Sequence, residues 1–360
     1  MKSKNIFSIN PGRASEDISK LVSKLLAEKF DERVIGIDKL FGGSNSEAFK
    51  VITEDKNEYF VKEYHIRKKD SRNRLSTEFT GLSFLWANGI RNIPEPILAC
   101  EESRVAVYRF IKGTKIQSGE MSLTDVDEAA LFAGKLQSLT NAKGSDLQPV
   151  ASEACFSVHE YIDCVDDRLN SLNLLGKKGI VFDSLRSYLV DEFMPLYRIV
   201  KKMTAQKAKE LKIDIHEKIK VSERTLSPSD FGFHNVIKVK DGLLYFIDFE
   251  YYGWDDPVKM IADFYLQPAV HVPVSYRERF FEKVRNNYKT HTRLGERLSV
   301  IYPLLGLKWC LIMLNVINRF GEGKNDESMC LNRIDRAAEK LELIRREVDI
   351  KCFPLSLTKT

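Results

Sequence analysis

The stretch "LSPSDFGFHNVI", residues 226–237, sets an acid and an amide, Asp230 and Asn235, five positions apart among small, aromatic and apolar residues. Pro228, Ser229 and Gly232 suit a loop, but Phe231 and Phe233 gain nothing from facing water, so a plain surface loop does not explain the pattern. Downstream, "NVIKVKDGLLYFIDFEYYGWDDP" carries Asp241-Gly242 between two apolar runs, a strong hairpin signal. Asn235 opens that hairpin and Asp248 closes it, so the turn brings both ends close to Asp230. Carboxylate and amide oxygens are hard ligands of the kind Mg²⁺ takes in small number, its shell being completed by phosphate oxygens and water. Asp230 is then left to receive a proton.

The chain has 360 residues, 43% hydrophobic and 30% charged, enough for one large core or two moderate ones. Its start lacks the apolar stretch of a secretory signal, and its six cysteines show neither paired nor metal-ligand spacing. A reducing cytoplasmic setting is expected. The run "VIYPLLGLKWCLIMLNVI" at 300–317 approaches membrane-spanning length, but Pro303, Lys308 and Asn315 interrupt it, which predicts a buried helix and no membrane insertion. The net charge of +5 is mild, and cations are mixed with acids along most of the chain, so no nucleic-acid partner is expected.

Ser15 is placed to cap an amphipathic helix whose Ile18, Leu21, Leu25 and Leu26 share one face. The next segment, "VIGIDKLFGGSNSEAFKVITEDKNEYFVKEY", reads as consecutive antiparallel strands. A helix with Leu75, Phe79, Leu82 and Leu85 follows, stopping near Gly89, and "VAVYRFIKG" at 105–113 is one more strand. Beyond it the pattern is mainly helical, with Thr124 and Asp127 as a capping pair and further helices over 157–172 and 182–210. The predicted fold class is α+β. Residues 1–112 form a small antiparallel β-rich lobe with a leading helix, and residues 113–360 a larger, mainly helical lobe.

The order of Asp230, Asn235, a hairpin and then Asp248-Phe249 is that of a protein-kinase-like catalytic loop and metal-binding aspartate. "SDFGFHNVI" with "FIDFEYYGWDDP" resembles the aminoglycoside phosphotransferase and choline kinase group of small-molecule kinases, over roughly residues 35–265. The resemblance implies a bilobal protein-kinase-like fold and ATP-dependent phosphoryl transfer to a hydroxyl of a small molecule. It makes Asp230 the catalytic base and Asn235 and Asp248 the Mg²⁺ ligands.

The small lobe must then hold the nucleotide. In "LFGGSNSEAFKV", Gly42 and Gly43 let backbone approach phosphates closely while Ser44, Asn45 and Ser46 add small donors; the alternative is an ordinary Gly-rich turn. Lys62 in "YFVKEY" is placed to direct a cation at the α- and β-phosphates, with Glu78 holding it by ion pairing; the alternative is an exposed strand lysine and a surface glutamate. Residues 107–111, "VYRFI", are expected to link the lobes and offer backbone to the adenine edge.

The chain departs from the family where His and Gly usually precede the catalytic Asp; Pro228 and Ser229 stand there, which leaves a regulatory pseudokinase as an alternative. His234 reads as a hydrogen-bonded loop residue or a proton shuttle, Glu250 as a supporting or acceptor-contacting acid, and Asp263 as a brace for the loop. Tyr251, Tyr252 and Trp254 either pack or cage a quaternary ammonium, as a choline-type amino alcohol would require. From residue 266 onward there are 17 Lys and Arg against 11 Asp and Glu, a net +6, which argues for a neutral or anionic acceptor such as a sugar derivative.

Overall fold

The computed structural model describes residues 16–40, 45–65, 72–172, 174–289, 291–320 and 326–349. The expected cap at Ser15 lies outside these residues. Packing groups the chain into two compact units: residues 1–129, 141–152 and 228–254 in the first, and 130–140, 153–227 and 255–360 in the second.

In the first unit, helix α1 (Glu16–Phe30) precedes strands β1 (Val34–Leu40), β2 (Ser46–Thr53) and β3 (Glu58–Tyr64). Helix α2 (Arg74–Ala87) follows, then β4 (Pro96–Cys100) and β5 (Val105–Arg109). Among the described residues these strands form an antiparallel sheet in the order β1-β2-β3-β5-β4. β4 was not foreseen; its single short apolar run, "PILAC", carries too little alternation to announce a strand. Ile18, Val22 and Leu26 of α1 pack in one cluster with Phe49, Val51, Val61, Val105 and Val107 of the sheet. Strand side chains alternate between faces, so Lys62, next to Val61, is turned to the opposite face.

α2 starts at Asn73, whose side chain accepts from Ser76 N–H at 3.1 Å, and ends where Gly89 takes a left-handed φ of 87°. A two-residue strand, β6 (Thr114–Lys115), leads to α3 (Leu123–Ser138). The cap of α3 is Ser122 with Asp125, not Thr124 with Asp127. Ser122 N–H donates to the Asp125 carboxylate at 2.8 Å and Asp125 N–H to Ser122 Oγ at 3.2 Å, and the Lys238 ammonium at 2.7 Å further anchors Asp125.

The second unit holds α4 (Val158–Ser171), α5 (Ile180–Ser187), a π-helical turn at Tyr188–Phe193 and α6 (Met194–Glu210), then β7 (Thr225–Ser227). The hairpin strands β8 (Val236–Lys238) and β9 (Leu244–Phe246) belong to the first unit. Helices α7 (Pro257–Leu266), α8 (Val274–Asn287), α9 (Leu294–Met313) and α10 (Glu327–Asp349) complete the second. The stretch Leu294–Asn318 is long and apolar enough to cross a membrane, but most of it is buried in this unit. Lys308, 4% exposed, is paired there with Glu153 at 3.2 Å.

Candidate active site

Within the first unit a cleft of about 510 Å³ is lined by Asn45, Ser46, Lys62, Glu78, Asp230, Asn235 and Asp248. Gly42, Gly43 and Ser44 of the expected nucleotide loop lie outside the described residues.

β3 supplies the cation. Lys62 stands between Ala48 on β2 and Ala106 on β5, small neighbours on either side of a long side chain. Its ammonium lies 2.7 Å from Glu78 Oε2, 2.7 Å from Asp248 Oδ1 and 3.7 Å from Glu250 Oε2. Burial pushes the ammonium pKa down, but the charges of Asp248, Glu78 and Glu250 more than reverse this and hold it well above its ordinary value. Glu78 is 3% exposed, so the surface reading of it fails. It also accepts from Tyr64 Oη–H at 2.7 Å and Phe249 N–H at 3.2 Å. Burial raises its pKa, Lys62 opposes that, and Asp248 adds to it; the net shift is upward.

The opening loop owes its aromatics to anchoring. Phe231 and Phe233 are 2% and 0% exposed, and Phe231 stacks on Phe246 of β9 at 5.7 Å. Held this way, the loop turns through Ser229, whose φ of 64° is left-handed, the conformation that favours glycine. The serine next to Asp230 therefore holds a glycine-like conformation. Phe233–Asn235 form one 3₁₀ turn ahead of β8, and Ile247 N–H donates to Asn235 O at 2.9 Å, closing the hairpin base beside Asp248. Asp248 also has a left-handed φ, 67°. Asn235 Nδ2 donates to Asp230 O at 3.1 Å and Oδ2 at 3.3 Å, and His234 Nε2–H to Asp230 Oδ1 at 3.1 Å. His234 is thus a hydrogen-bonded loop residue.

Two features were not read from the sequence. Lys115 of β6 lines the cleft and donates from Nζ to the His234 carbonyl at 2.6 Å. Burial holds its ammonium below the ordinary lysine range, with the Asp248 and Asp230 carboxylates opposing. A strand of two residues after the Lys112-Gly113 break leaves no periodic signal; a hint was Gly113 itself, where a Cβ would stand 2.5 Å from Lys238 O. Second, Asn45 Nδ2 donates to Glu250 Oε1 and, at 2.9 Å, to Tyr251 Oη. Glu250 is 5% exposed and lies 3.8 Å from Arg74 Nε. It therefore ties the residue after the Gly-Gly-Ser segment to the strand end that carries Asp248.

The aromatic cage is not formed by the three residues named for it. Tyr252 is fully buried against Gly81 of α2, where a Cβ would meet its ring at 2.4 Å. Trp254 Nε1–H donates to Ser145 O at 2.9 Å, and Tyr251 lies under the Arg72 and Arg74 guanidinium groups at 5.2 and 5.8 Å. Asp263 does not brace the 226–237 loop: it pairs with Lys259 at 3.0 Å and accepts from Trp309 Nε1–H at 2.8 Å, so it joins α7 to α9. Within residues 107–111, which lie inside the first unit, Arg109 N–H and Phe110 N–H donate to Glu95 O and Glu58 O.

The donor set fits Mg²⁺. Asp248 offers a carboxylate that is 40% exposed, and Asn235 an amide oxygen on the same cleft, since its Nδ2 is turned to Asp230. Among the described residues no group of three or more His, Cys, Asp or Glu side chains is arranged to hold a metal, so a cation here would rely on phosphate oxygens as well.

No family model matches the chain, and no curated protein matches it in sequence. Solved structures do match. A choline kinase from Streptococcus pneumoniae is 16% identical, with 91% of this chain and 99% of that chain covered and a TM-score of 0.58. A spectinomycin phosphotransferase solved with ADP and spectinomycin is 12% identical, with 91% and 98% covered and a TM-score of 0.60. An ADP-bound aminoglycoside phosphotransferase is 16% identical, with 92% and 99% covered and a TM-score of 0.56. The chain has the protein-kinase-like fold of these small-molecule phosphotransferases.

Proposed function

We propose that this protein is an ATP-dependent phosphotransferase that moves the γ-phosphoryl group to a hydroxyl of a small molecule. The observation that carries the reading is the meeting, on one cleft, of the Lys62–Glu78 pair, the Asp248 and Asn235 oxygens and the Asp230 carboxylate. The fold shared with choline kinases and aminoglycoside phosphotransferases supports it.

Lys62, kept charged by its carboxylates, positions the α- and β-phosphates, with Asn45 and Ser46 beside them. Backbone groups of 107–111 outside the sheet bonds of Arg109 and Phe110 face the adenine. Asn235 and Asp248 hold Mg²⁺, which when bound neutralises charge on the β- and γ-phosphates. The acceptor oxygen bonds to the γ-phosphorus while its proton passes to Asp230. The bond from that phosphorus to the bridging oxygen breaks, and ADP leaves with the electron pair. His234 and Asn235 fix the Asp230 carboxylate for this step. Ser229 keeps the loop's left-handed turn, which favours an active enzyme over a pseudokinase.

For the acceptor, we infer a neutral or anionic hydroxyl compound such as a sugar derivative. The net +6 of residues 266–360 supports it, and the buried packing of Tyr252 against Gly81 with the Trp254–Ser145 bond speaks against an aromatic cage for choline. A screen with γ-labelled ATP across sugars, amino alcohols and aminoglycosides tests this. Label on a sugar is the expected result; preferential labelling of an amino alcohol or aminoglycoside overturns the acceptor assignment, and no ATP turnover with any acceptor or with water overturns the kinase reading.

A further inference from the structure

We propose that Lys115 is a second catalytic cation, which stabilises the negative charge of the phosphoryl group during transfer. The inference rests on the kinase reading above. In such a transfer the charge spreads over the equatorial oxygens of the moving group, and most of the acceleration comes from positioned positive charge. The loop that carries Asp230 and Asn235, residues 226–237, contains no Lys or Arg. Cations must therefore reach the phosphoryl group from elsewhere. Among the described residues lining the cleft these are Lys62, Arg109 and Lys115. Lys62 is held by Glu78 and Asp248, and Arg109 is turned to Glu95 at 3.5 Å and to the Tyr59 ring at 4.9 Å.

Lys115 is fixed for the task. β6 pairs with β8 so that Lys115 lies opposite Ile237, two residues beyond Asn235, and the close approach at Gly113 allows this pairing. One ammonium N–H is used on the His234 carbonyl, which belongs to the same loop as the proton acceptor. Among the described residues no other hydrogen bond of this ammonium is seen, which leaves two donors for phosphate oxygens. The cation is thus tied to the loop that aligns the acceptor, so base and charge move as one body.

The test uses the full-length protein in three forms: unaltered, Lys115→Met and Lys115→Arg. Measured are kcat for ATP consumption, the Kd of Mg-ADP, and the Kd of ADP with aluminium fluoride, which imitates the transferring phosphoryl group. The proposal expects Lys115→Met to lower kcat by about 100- to 1000-fold. Affinity for ADP–aluminium fluoride falls with it, while Mg-ADP affinity stays within about threefold. Lys115→Arg, which keeps the charge, recovers part of both losses. A Met variant with near-normal kcat, or one that loses Mg-ADP affinity as much as it loses kcat, overturns the proposal while leaving the kinase reading intact. Should the Met variant not fold, Lys115→Gln replaces it under the same three measurements: loss of kcat and of fluoride-complex affinity with Mg-ADP affinity retained supports the proposal, and near-normal kcat overturns it. An unaltered protein that neither consumes ATP nor binds Mg-ADP overturns the kinase reading, and this inference with it.

Discussion

The ammonium of Lys62 lies 2.7 Å from Oδ1 of Asp248, the carboxylate proposed to hold the metal. A cation entering with the nucleotide competes with that ammonium for the Asp248 carboxylate, whereas the bonds that fix Asp230 come from His234 and Asn235. Asp248→Ala is expected to weaken Mg²⁺-dependent nucleotide binding far more than Asp230→Asn does. Asp230→Asn should abolish turnover with Mg-ATP affinity nearly unchanged. Calorimetry with and without Mg²⁺, beside turnover assays, separates the two, and equal nucleotide affinity with and without Mg²⁺ in the unaltered protein counts against the metal assignment.

Ser229 is buried and left-handed, φ 64°. A β-branched side chain is strained there, so Ser229→Val should cost about 1–3 kcal/mol of stability. Ser229→Gly, which adopts the conformation without strain, should cost less. Urea denaturation of the two variants checks the difference; equal losses would show that the backbone conformation is not what selects the residue.

The bonds from Asn45 to Glu250 and Tyr251 tie the residue ahead of β2, next to the proposed phosphate-binding segment, to the stretch after β9 that bears Asp248. A hydrogen bond to a charged group contributes about 1.5–3 kcal/mol, so Asn45→Ala should weaken Mg-ATP binding by about tenfold or more. Its stability to urea should also fall, by about 1.5–3 kcal/mol, because buried Glu250 loses that partner. A titration that finds unaltered Mg-ATP affinity would remove Asn45 from the nucleotide site.

Cys164 in α4 has a thiol pKa lowered to about 6, because the Cys155 thiol hydrogen-bonds to it and Lys308 and Arg168 add positive charge against the opposing effect of burial. Cys155 is shifted upward by the same bond. Thiolate, the reactive form, should appear as pH rises through about 6, so alkylation of Cys164 should level off near neutrality. An ordinary cysteine would continue to gain rate up to about pH 8.5. Cys155→Ala should move the midpoint upward. Peptide mapping after brief iodoacetamide treatment at stepped pH measures this, and a midpoint near that of a free thiol would refute the pairing.

What the sequence by itself determined is local. Alternation along β3 separates Val61 from Lys62, and Asp241-Gly242 folds the hairpin that returns Asp248 to Asn235. Glu78 was reached through the family resemblance, and helical spacing on α2 places it on the same buried face as Leu75, Leu82 and Leu85. In each case neighbours within a few residues decide the geometry, so propensity and periodicity are sufficient. Even there, two overlapping capping patterns, Ser122–Asp125 and Thr124–Asp127, differed only by contacts made elsewhere: the Lys238 ammonium that anchors Asp125 comes from the hairpin.

Only the tertiary structure decided the rest. Lys115 reaches His234 across 119 residues, and Asn45 reaches Glu250 across 205. Tyr252 is a packing residue because Gly81 leaves room for its ring, and Asp263 belongs to Trp309 and Lys259. Their partners come from strand pairing and helix packing at large chain separation, which a sequence pattern with a short period does not encode. Backbone pairing brought Lys115 to the loop that carries Asp230 and Asn235, and packing closed the Tyr252 position that an aromatic cage would have used.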